Sequence, residues 1–530
     1  MQKIFRRVLT TLLIGLCVLT AAIVGAAVQI FSGEGKYIMS DFENHDIAKQ
    51  RAIQRAEKDA QKKAGVYLTQ FSKSVNSELT NDEISAVTNN IIKVSDMNVK
   101  SVPFEANGVS GLMYEVTLNA TIDTDGIYDF LKRDRDEKVT IIQQNNSLQD
   151  AIAKNDKLTE DLKAQYNRAK SQADKDKIRK QMNDADRDFL ANQKNEEGIR
   201  LAYAKDYHGA IKLFNEVLQL KPNDEAGYNN RGNAYHGLKQ YDKALADYNK
   251  ALQIAPSDSE AYYNRAGIYK DLEQYDRAIQ DYSKSIQLAP NDSDPYNNRG
   301  IVYFYVEQYD KAMADFNKAI QLNPNDSYPY NNRGVTYAKL KQYERAIQDY
   351  NRSIQLNPNL ASPYNNRGSA YEDIEQYERA VQNYSKAIQL NPNDAQTYNG
   401  RGRTYGKLKQ TDRAIQDFDR AIELNPNYAD AYYNRGFTYS LTGNFNQAIN
   451  NMSKVIEINP RHLKAYRVRA ILYKMSGKLR EAIADFSKAI QLDPSSPAEY
   501  QMRGNCYQQL GEVAKAQADF AKAKELGYKG

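Results

Sequence analysis

One pattern of apolar and polar positions recurs along the C-terminal two-thirds of the chain at a fixed interval of 34 residues. Its clearest marker is a tyrosine at Tyr228, Tyr262, Tyr296, Tyr330, Tyr364, Tyr398, Tyr432, Tyr466 and Tyr500. Numbering this tyrosine as position 4 divides residues 191–530 into ten units, of which the first is degenerate in its leading helix. A fixed period of this length predicts a repeat architecture.

Each unit predicts two helices. Tyr228, Gly232 and Tyr235, at positions 4, 8 and 11, fall on one face of a first helix. Small and aromatic residues at positions 20, 24 and 27 do the same for a second helix, and a proline at position 32, such as Pro256, ends it. Glycine at position 8 lets the two helices approach closely.

With these spacings the array resembles the tetratricopeptide repeat family, with Tyr in place of the usual Trp and an N-R-G core where Leu-Gly is commoner. The resemblance covers residues 191–530. It implies a mainly α fold, a right-handed superhelical solenoid of helix pairs whose first helices line a concave groove. Since one unit cannot bury its own apolar faces, its stability comes largely from its neighbours.

A helix turns by about 100° per residue, so position 6 of the first helix lies on the side opposite the buried stripe. We name its asparagines the asparagine ladder: Asn230, Asn264, Asn298, Asn332, Asn366 and Asn434. Gly400 interrupts the row, and Val468 and Met502 end it. An amide can pair with the N–H and C=O groups of an extended peptide without contacting its side chains.

The ladder resembles that of the O-linked N-acetylglucosamine transferases, whose catalytic domain is absent here. Peptide binding in the concave groove is one interpretation. Equally, N-R-G is the sequence of a founding unit copied by duplication, with the asparagines solvated or capping locally.

Two further sets of charged residues recur in the repeats. An arginine at position 7 is matched by an acid or amide at position 23, as in Arg333 with Asp349, and we expect these pairs to be structural. Chaperone-binding members of the family clamp a carboxylate with basic groove residues, but position 5 is mostly Asn or Tyr here, so that clamp is not carried over. Near the C-terminus, Lys464, Arg467 and Lys474 form a basic patch suited to an acidic ligand.

Residues 34–132 predict a small α+β domain. Ala48, Ala52, Ala56, Ala60 and Ala64 place a ridge of small side chains on one helix face. A second helix is predicted over 82–94, followed by a hairpin with its turn at 107–108 and alternating apolar residues over 114–122. This order resembles the small domains of bacterial flagellar-assembly and LPP20-like envelope proteins.

Residues 133–190 lack proline and predict one long helix. Ile141, Leu148, Ile152 and Leu162 begin a coiled-coil seam of three- and four-residue steps, which Asn155 interrupts. A self-associating stalk and a solitary helical spacer both fit this linker.

The N-terminus predicts a membrane-targeting segment, since Lys3, Arg6 and Arg7 precede an uncharged stretch from Val8 to Gly33. Its length favours an uncleaved anchor in the cytoplasmic membrane, with everything after residue 33 extracytoplasmic. The alternative is export after cleavage near residue 27, where small residues precede the cut.

Little in the sequence indicates catalysis. The four histidines are far apart, no phosphate-binding or nucleophile motif occurs, and Cys506 is expected in the core. A net charge of +5 without a basic stripe argues against nucleic acid. We therefore expect no catalytic residues, no metal and no cofactor.

The chain is thus predicted to have four parts: a membrane anchor or signal segment (1–33), an α+β domain (34–132), a helical or coiled-coil linker (133–190) and ten repeats (191–530). The predicted function is a non-enzymatic scaffold of the bacterial envelope that binds extended segments of other proteins in the groove. A self-assembling spacer or surface protein, forming a homo-oligomer through residues 133–190, is the alternative.

Overall fold

The computed structural model describes residues 29–39, 43–74, 84, 88, 93–106, 109–122 and 135–528. A three-stranded sheet covered by one helix comes first, a helical hairpin follows, and helix pairs fill the rest. The bounds of the first elements are β1 Gln29–Met39, α1 His45–Ser74, β2 Lys93–Ala106, β3 Val109–Ile122, α2 Arg135–Arg168 and α3 Gln172–Tyr203.

The sheet is antiparallel in the order β1-β3-β2. The predicted alternation in β3 is confirmed, since Tyr114, Val116 and Leu118 are buried while Thr117 between them is exposed. The predicted hairpin is also present as the β2–β3 pair. Its turn, residues 107–108, lies outside the described residues.

The alanine ridge of α1 packs against β1, and its five alanines are all 0% exposed. The close approach requires glycine on the strand. A Cβ atom added to Gly33 would lie 2.1 Å from the carbonyl oxygen of Ala56, and one added to Gly35 would lie 2.2 Å from that of Ala52. Small residues on both sides therefore bring the helix backbone directly onto the sheet.

The second helix of this domain was predicted too long. Lys93 and Val94 belong to β2, where they pair with Thr121 and Ala120 of β3. Ile84 and Thr88 are helical, and the other residues of the predicted 82–94 helix lie outside the described residues.

The predicted localisation is corrected by β1. Residues 29–33, which we had assigned to the membrane segment, pair with β3, and Gly33 lies opposite Leu118. No helix in the described part of the chain is both long enough and apolar enough to cross a membrane. The remainder of the predicted segment, including the cleavage site near residue 27, lies outside the described residues. The predicted membrane-anchored, extracytoplasmic localisation is therefore wrong on these findings.

The predicted single helix of the linker is instead a hairpin of α2 and α3. Ser171 caps α3 by accepting a hydrogen bond from the Asp174 N–H at 3.1 Å. The seam residue Leu162 packs against Ile178 and Met182 of α3. Asn155, which seemed to interrupt the seam, is buried and donates from Nδ2 to the Ala185 carbonyl at 2.8 Å. The partner of the seam is thus the next helix of the same chain.

Arg51 on α1 attaches the sheet to this hairpin. Its side chain is 1% exposed and lies 3.3 Å from Asp156 and 3.2 Å from Asp186, with Glu43 3.6 Å away. The Phe189 ring lies 4.3 Å from the guanidinium carbon. Burial raises the pKa of the Asp186 carboxyl even beside this cation. Removing the arginine would leave the buried Asp186 without its ion-pair partner, whereas Glu43 would keep Lys163 at 3.1 Å.

The remaining helices form the repeats. Their bounds are α4 Tyr207–Leu220, α5 Glu225–Gly237, α6 Tyr241–Ile254, α7 Ser259–Asp271, α8 Tyr275–Leu288, α9 Asp294–Tyr305, α10 Tyr309–Leu322, α11 Ser327–Lys339, α12 Tyr343–Leu356, α13 Ala361–Asp373, α14 Tyr377–Leu390, α15 Ala395–Lys407, α16 Thr411–Leu424, α17 Ala429–Leu441, α18 Phe445–Ile458, α19 Leu463–Met475, α20 Leu479–Leu492, α21 Pro497–Gln509 and α22 Val513–Glu525. The described chain divides into two compact units at Pro290–Asn291. The first holds the sheet, the hairpin and three repeats, and the second holds the other seven.

Candidate functional site

The two helices of a repeat meet where glycine at position 8 faces an aromatic ring at position 24. A Cβ atom on Gly232 would lie 2.7 Å from the Tyr248 ring, and one on Gly334 would lie 2.7 Å from the Tyr350 ring. Both rings are at most 1% exposed. This contact fixes which face of each first helix remains on the surface.

The predicted pairs between positions 7 and 23 form with bidentate geometry. Arg333 donates from Nε and Nη2 to the two carboxylate oxygens of Asp349, at 2.8 and 2.7 Å. Its Nη1 donates to Asn317 of the preceding repeat at 2.6 Å, and its guanidinium carbon lies 5.6 Å from the Tyr330 ring centre. The arginine therefore joins three helices across a repeat boundary. Carboxylate pairs of this kind are Arg231–Asp247, Arg265–Asp281, Arg299–Asp315, Arg333–Asp349, Arg401–Asp417, Arg469–Asp485 and Arg503–Asp519.

Two repeats have an amide in place of the carboxylate. Arg367 donates from Nε to Asn383 at 2.7 Å, and Arg435 donates to Asn451 at 2.9 Å. Burial lowers the pKa of Arg367, whereas the hydrogen bonds to Asp349 raise the pKa of Arg333. The charge of the partner, rather than the position in the fold, decides the direction of this shift.

The asparagine ladder lies on the first helices, and five of its six members bond to the preceding repeat. In five repeats, Nδ2 of the position-6 asparagine donates to Oδ1 of a position-5 asparagine one repeat earlier. The pairs are Asn230 with Asn195 at 3.0 Å, Asn264 with Asn229 at 3.2 Å, Asn332 with Asn297 at 3.0 Å, Asn366 with Asn331 at 3.0 Å and Asn434 with Asn399 at 3.0 Å. Asn298 lies on α9 and is partly buried.

These bonds fix the orientation of each ladder amide. An asparagine amide has two N–H groups and one oxygen, and the bond to the preceding repeat engages one N–H. We did not predict the role of position 5 from the sequence, although the repeated Asn-Asn pair at positions 5 and 6 was a visible signal.

The interruption at Gly400 has a steric cause. A Cβ atom at this position would lie 2.9 Å from the Tyr384 ring. The Tyr384 hydroxyl donates to Oε2 of Glu372 at 3.0 Å, and Arg403 donates to the same oxygen at 2.9 Å. Tyr384 therefore occupies the space that an asparagine side chain would need in repeat 7.

The predicted C-terminal basic patch is partly neutralised within the chain. Arg467 donates to Asp493 at 3.1 Å and contacts Glu499. Nζ of Lys474 lies 3.9 Å from the sulfur of Met502, and Lys464 is exposed. The positive charge offered to solvent here therefore comes mainly from the two lysines.

The structure brings together no catalytic constellation among these residues. Within the described ranges, no cluster of three or more His, Cys, Asp or Glu side chains could hold a metal ion. Cys506 lies in the core, as predicted, beside Ala470, Ala482 and Phe486, and burial raises the pKa of its thiol.

Comparison with known proteins identifies the repeats. Tetratricopeptide repeat models match residues 226–258, 259–292, 293–326, 327–360, 373–409, 395–428, 418–450, 463–496 and 500–526, together more than half of the 530 residues. The chain belongs to the tetratricopeptide repeat family. The family matches begin at residue 226, and nothing in the comparisons supports the resemblance of residues 34–132 to flagellar-assembly or LPP20-like domains.

Several solved tetratricopeptide repeat structures are similar to part of this chain. YrrB, described as a TPR protein with an unusual peptide-binding site, is 26% identical over 36% of this chain and 97% of its own, with a TM-score of 0.31. MamA is 29% identical over 30% of this chain and 94% of its own, with a TM-score of 0.29. PilF of Pseudomonas aeruginosa is 22% identical over 39% and 94%, with a TM-score of 0.36. No curated protein sequence matches the chain.

Proposed function

We propose that this protein is a non-enzymatic scaffold that holds extended segments of other proteins along its asparagine ladder. Tetratricopeptide repeat proteins are protein-interaction scaffolds. The observation that carries the more specific proposal is the bond from five of the six ladder amides to the preceding repeat, such as that from Asn366 to Asn331 at 3.0 Å. A binding group held in one orientation loses less entropy when a ligand binds.

The chemistry of the ladder suits a peptide backbone. In Asn332, Asn366 and Asn434, the second N–H of the amide would donate to a carbonyl of the ligand, and Oδ1 would accept from a ligand N–H. Both partners are main-chain groups that every extended segment presents. We therefore expect affinity with weak dependence on ligand sequence in repeats 5, 6 and 8, where Asn332, Asn366 and Asn434 lie.

A matched pair of variants tests this proposal. Peptides selected from a random library on the full chain are measured by fluorescence anisotropy against N332A/N366A/N434A and against N325A/N359A/N393A. The second set removes exposed asparagines from the turns between repeats of the same compact part of the chain, residues 291–530. We expect the first set to weaken binding roughly tenfold or more and the second to leave it unchanged, since a hydrogen bond contributes about 0.5–1.5 kcal/mol. Equal affinity for both variants would refute the proposal.

Self-assembly into a spacer is not favoured by any contact in the described residues. The seam that suggested it packs α2 against α3 through Leu162, Ile178 and Met182. Light scattering on the full chain checks this alternative, since a stable monomer counts against it.

A further inference from the structure

Repeats 8 and 9 expose large apolar side chains on two first helices in succession. Phe437 and Leu441 on α17 are 46% and 73% exposed, and Ile471 and Met475 on α19 are 40% and 61% exposed. Each pair is separated by four residues and so occupies one face of its helix. The two helices contact each other, and these residues hold the same positions, 9 and 13, in both repeats. We call these four side chains the apolar patch.

At positions 9 and 13, the repeats on either side of the apolar patch are polar or basic. Positions 9 and 13 are Arg403 and Lys407 in repeat 7 and Asn505 and Gln509 in repeat 10. The apolar surface therefore does not continue onto the neighbouring first helices. An exposed apolar surface with a polar rim is typical of a protein-binding site.

The charges beside the apolar patch are mainly positive. Lys407 and Lys464 are exposed, and Lys474 lies one residue before Met475. Arg467 is already paired with Asp493, and Asp430 is the acid on the same face of α17. An acidic partner would complement this rim, and a basic partner would be repelled.

From repeat 9 onward, position 6 cannot offer the backbone pairing that the ladder offers. Position 6 is Val468 in repeat 9 and Met502 in repeat 10, so both amides are replaced by apolar side chains. An extended ligand needs partners for its N–H and C=O groups, whereas a helix satisfies these groups internally. A surface of this kind therefore favours a helical ligand over an extended one.

We propose that the apolar patch of repeats 8 and 9 docks an acidic amphipathic helix of another protein. Apolar side chains of the ligand, spaced three and four residues apart, would cover Phe437, Leu441, Ile471 and Met475, and its acidic residues would face Lys407, Lys464 and Lys474. This proposal does not depend on the asparagine ladder, because it concerns side chains at positions 9 and 13 rather than position 6, and a ligand with a different backbone conformation.

The test uses the full chain and three synthetic peptides of about 16 residues, a length at which a well-chosen sequence forms a helix. The first carries Leu at a three- and four-residue spacing with Glu on the opposite face, the second has Lys for Glu, and the third has the composition of the first with its Leu positions scrambled. Binding is measured by fluorescence anisotropy for the wild type, for L441S/M475S and for the control Y305S/V513S. The control residues are each 57% exposed and lie in other repeats.

We expect the acidic amphipathic peptide to bind the wild type and the control equally, and to bind L441S/M475S roughly tenfold more weakly. We expect the basic and scrambled peptides to bind roughly tenfold more weakly than the acidic one. Equal affinity of the acidic peptide for the wild type and L441S/M475S overturns the proposal, and so does equal affinity of the acidic and basic peptides. A dimer that L441S/M475S converts to a monomer in sedimentation would make a second copy the occupant and would also overturn it.

Discussion

The turn inside each repeat holds one residue in the left-handed backbone region. This residue is position 15, with φ of 58° at Glu307 and 60° at Lys341. Glycine occupies the same position in repeats 8, 9 and 10, at Gly443, Gly477 and Gly511. An L-residue with a side chain costs about 1–2 kcal/mol in this conformation. Seven repeats therefore carry a local strain that the last three avoid.

Exchanging these residues changes stability in opposite directions. Glu307→Gly should raise the free energy of unfolding by about 0.5 kcal/mol, because the relief of strain exceeds the added backbone entropy of glycine in the unfolded chain. Gly477→Ala should lower it by about 1 kcal/mol. Urea unfolding followed by circular dichroism measures both, and a destabilised E307G would contradict the strain.

The sequence predicted the need for glycine at position 8 but not the left-handed backbone at position 15. Glycine at Gly232 or Gly334 is recognisable because it stands in a buried stripe of a helix. Lysine or glutamate at position 15 gives no comparable indication of a left-handed backbone. The signal was the alignment of Gly443, Gly477 and Gly511 with them, which shows what the backbone prefers there.

At the scale of helices, the arginines of position 7 determine how firmly neighbouring repeats are joined. Where Asp349 accepts both bonds from Arg333, a charge-assisted pair forms. In the repeat that has Asn383 in place of this aspartate, Nδ2 of Asn383 donates to the Arg379 carbonyl at 2.8 Å and cannot accept a bond from the position-7 arginine. One substitution, of asparagine by aspartate, would therefore convert the weaker contact into the stronger one.

A reciprocal exchange tests this difference. Asn383→Asp should raise the free energy of unfolding by about 1 kcal/mol, because a carboxylate bonds a guanidinium more strongly than an amide does. Asp349→Asn should lower it by a similar amount. The gain from N383D should start to decline below about pH 4, where a free aspartate is protonated, and should be lost at the lower pH where the paired carboxylate is protonated. Thermal unfolding at pH 7 and pH 3.5 provides the measurement, and a stabilised D349N would contradict the account.

The hairpin of α2 and α3 shows that an apolar periodicity does not identify the helix against which a seam packs. The apolar steps through Ile152 and Leu162 predicted a helix with a partner, but a heptad pattern does not say whether that partner is in the same chain. Asn155 is predicted to interrupt the seam, yet it is buried and bonds to the Ala185 carbonyl. This contact depends on a residue thirty positions further along the chain, so the sequence around Asn155 does not reveal it.

At the scale of the whole molecule, the first unit contains a pH-sensitive contact. Glu57 of α1 and Glu196 of α3 line one cleft, beside Lys58 and opposite Asp156 of α2. Burial, reinforced by the charge of Glu57, raises the pKa of Glu196 to about 7, while Arg200 acts in the opposite direction. The folded state therefore holds a proton that the unfolded chain releases near pH 4.5. Stability from this group is present at low pH and is lost as the pH rises through about 7.

Glu196→Gln should remove this pH dependence. At pH 8 the variant should protect the amides of α1 from hydrogen exchange more strongly than the wild type. The gain should be up to roughly 3.5 kcal/mol, because the pKa of Glu196 is about 7 against an ordinary 4.5 and each pKa unit corresponds to about 1.4 kcal/mol. At pH 4.5 the two should be alike. Glu105→Gln, which changes an exposed acid of β2, serves as the control and should match the wild type at both pH values. An E196Q variant with the pH dependence of the wild type would contradict the assignment.

Much of the architecture followed from periodicity, and the errors have physical causes. The 34-residue interval predicted the repeats, and alternation over 114–122 predicted β3, because both patterns report local burial. The first strand was missed because the stretch ending at Gly33 was assigned to a membrane segment, and nothing in the local sequence shows why residues 33 and 35 are glycine. Their requirement for glycine comes from the carbonyl oxygens of Ala56 and Ala52 on a distant helix.

The central claim is that the asparagine ladder binds a peptide backbone rather than particular side chains. Its most direct test is a backbone scan of one selected peptide, in which each N–H is replaced in turn by N-methyl and each side chain in turn by Ala. N-methylation also disturbs local conformation, so an ester replacement that removes only the N–H accompanies it. We predict that alternate N–H positions lose roughly tenfold in affinity, while most side-chain changes cost little. Loss of binding on side-chain changes, with all N–H replacements tolerated, would contradict the account.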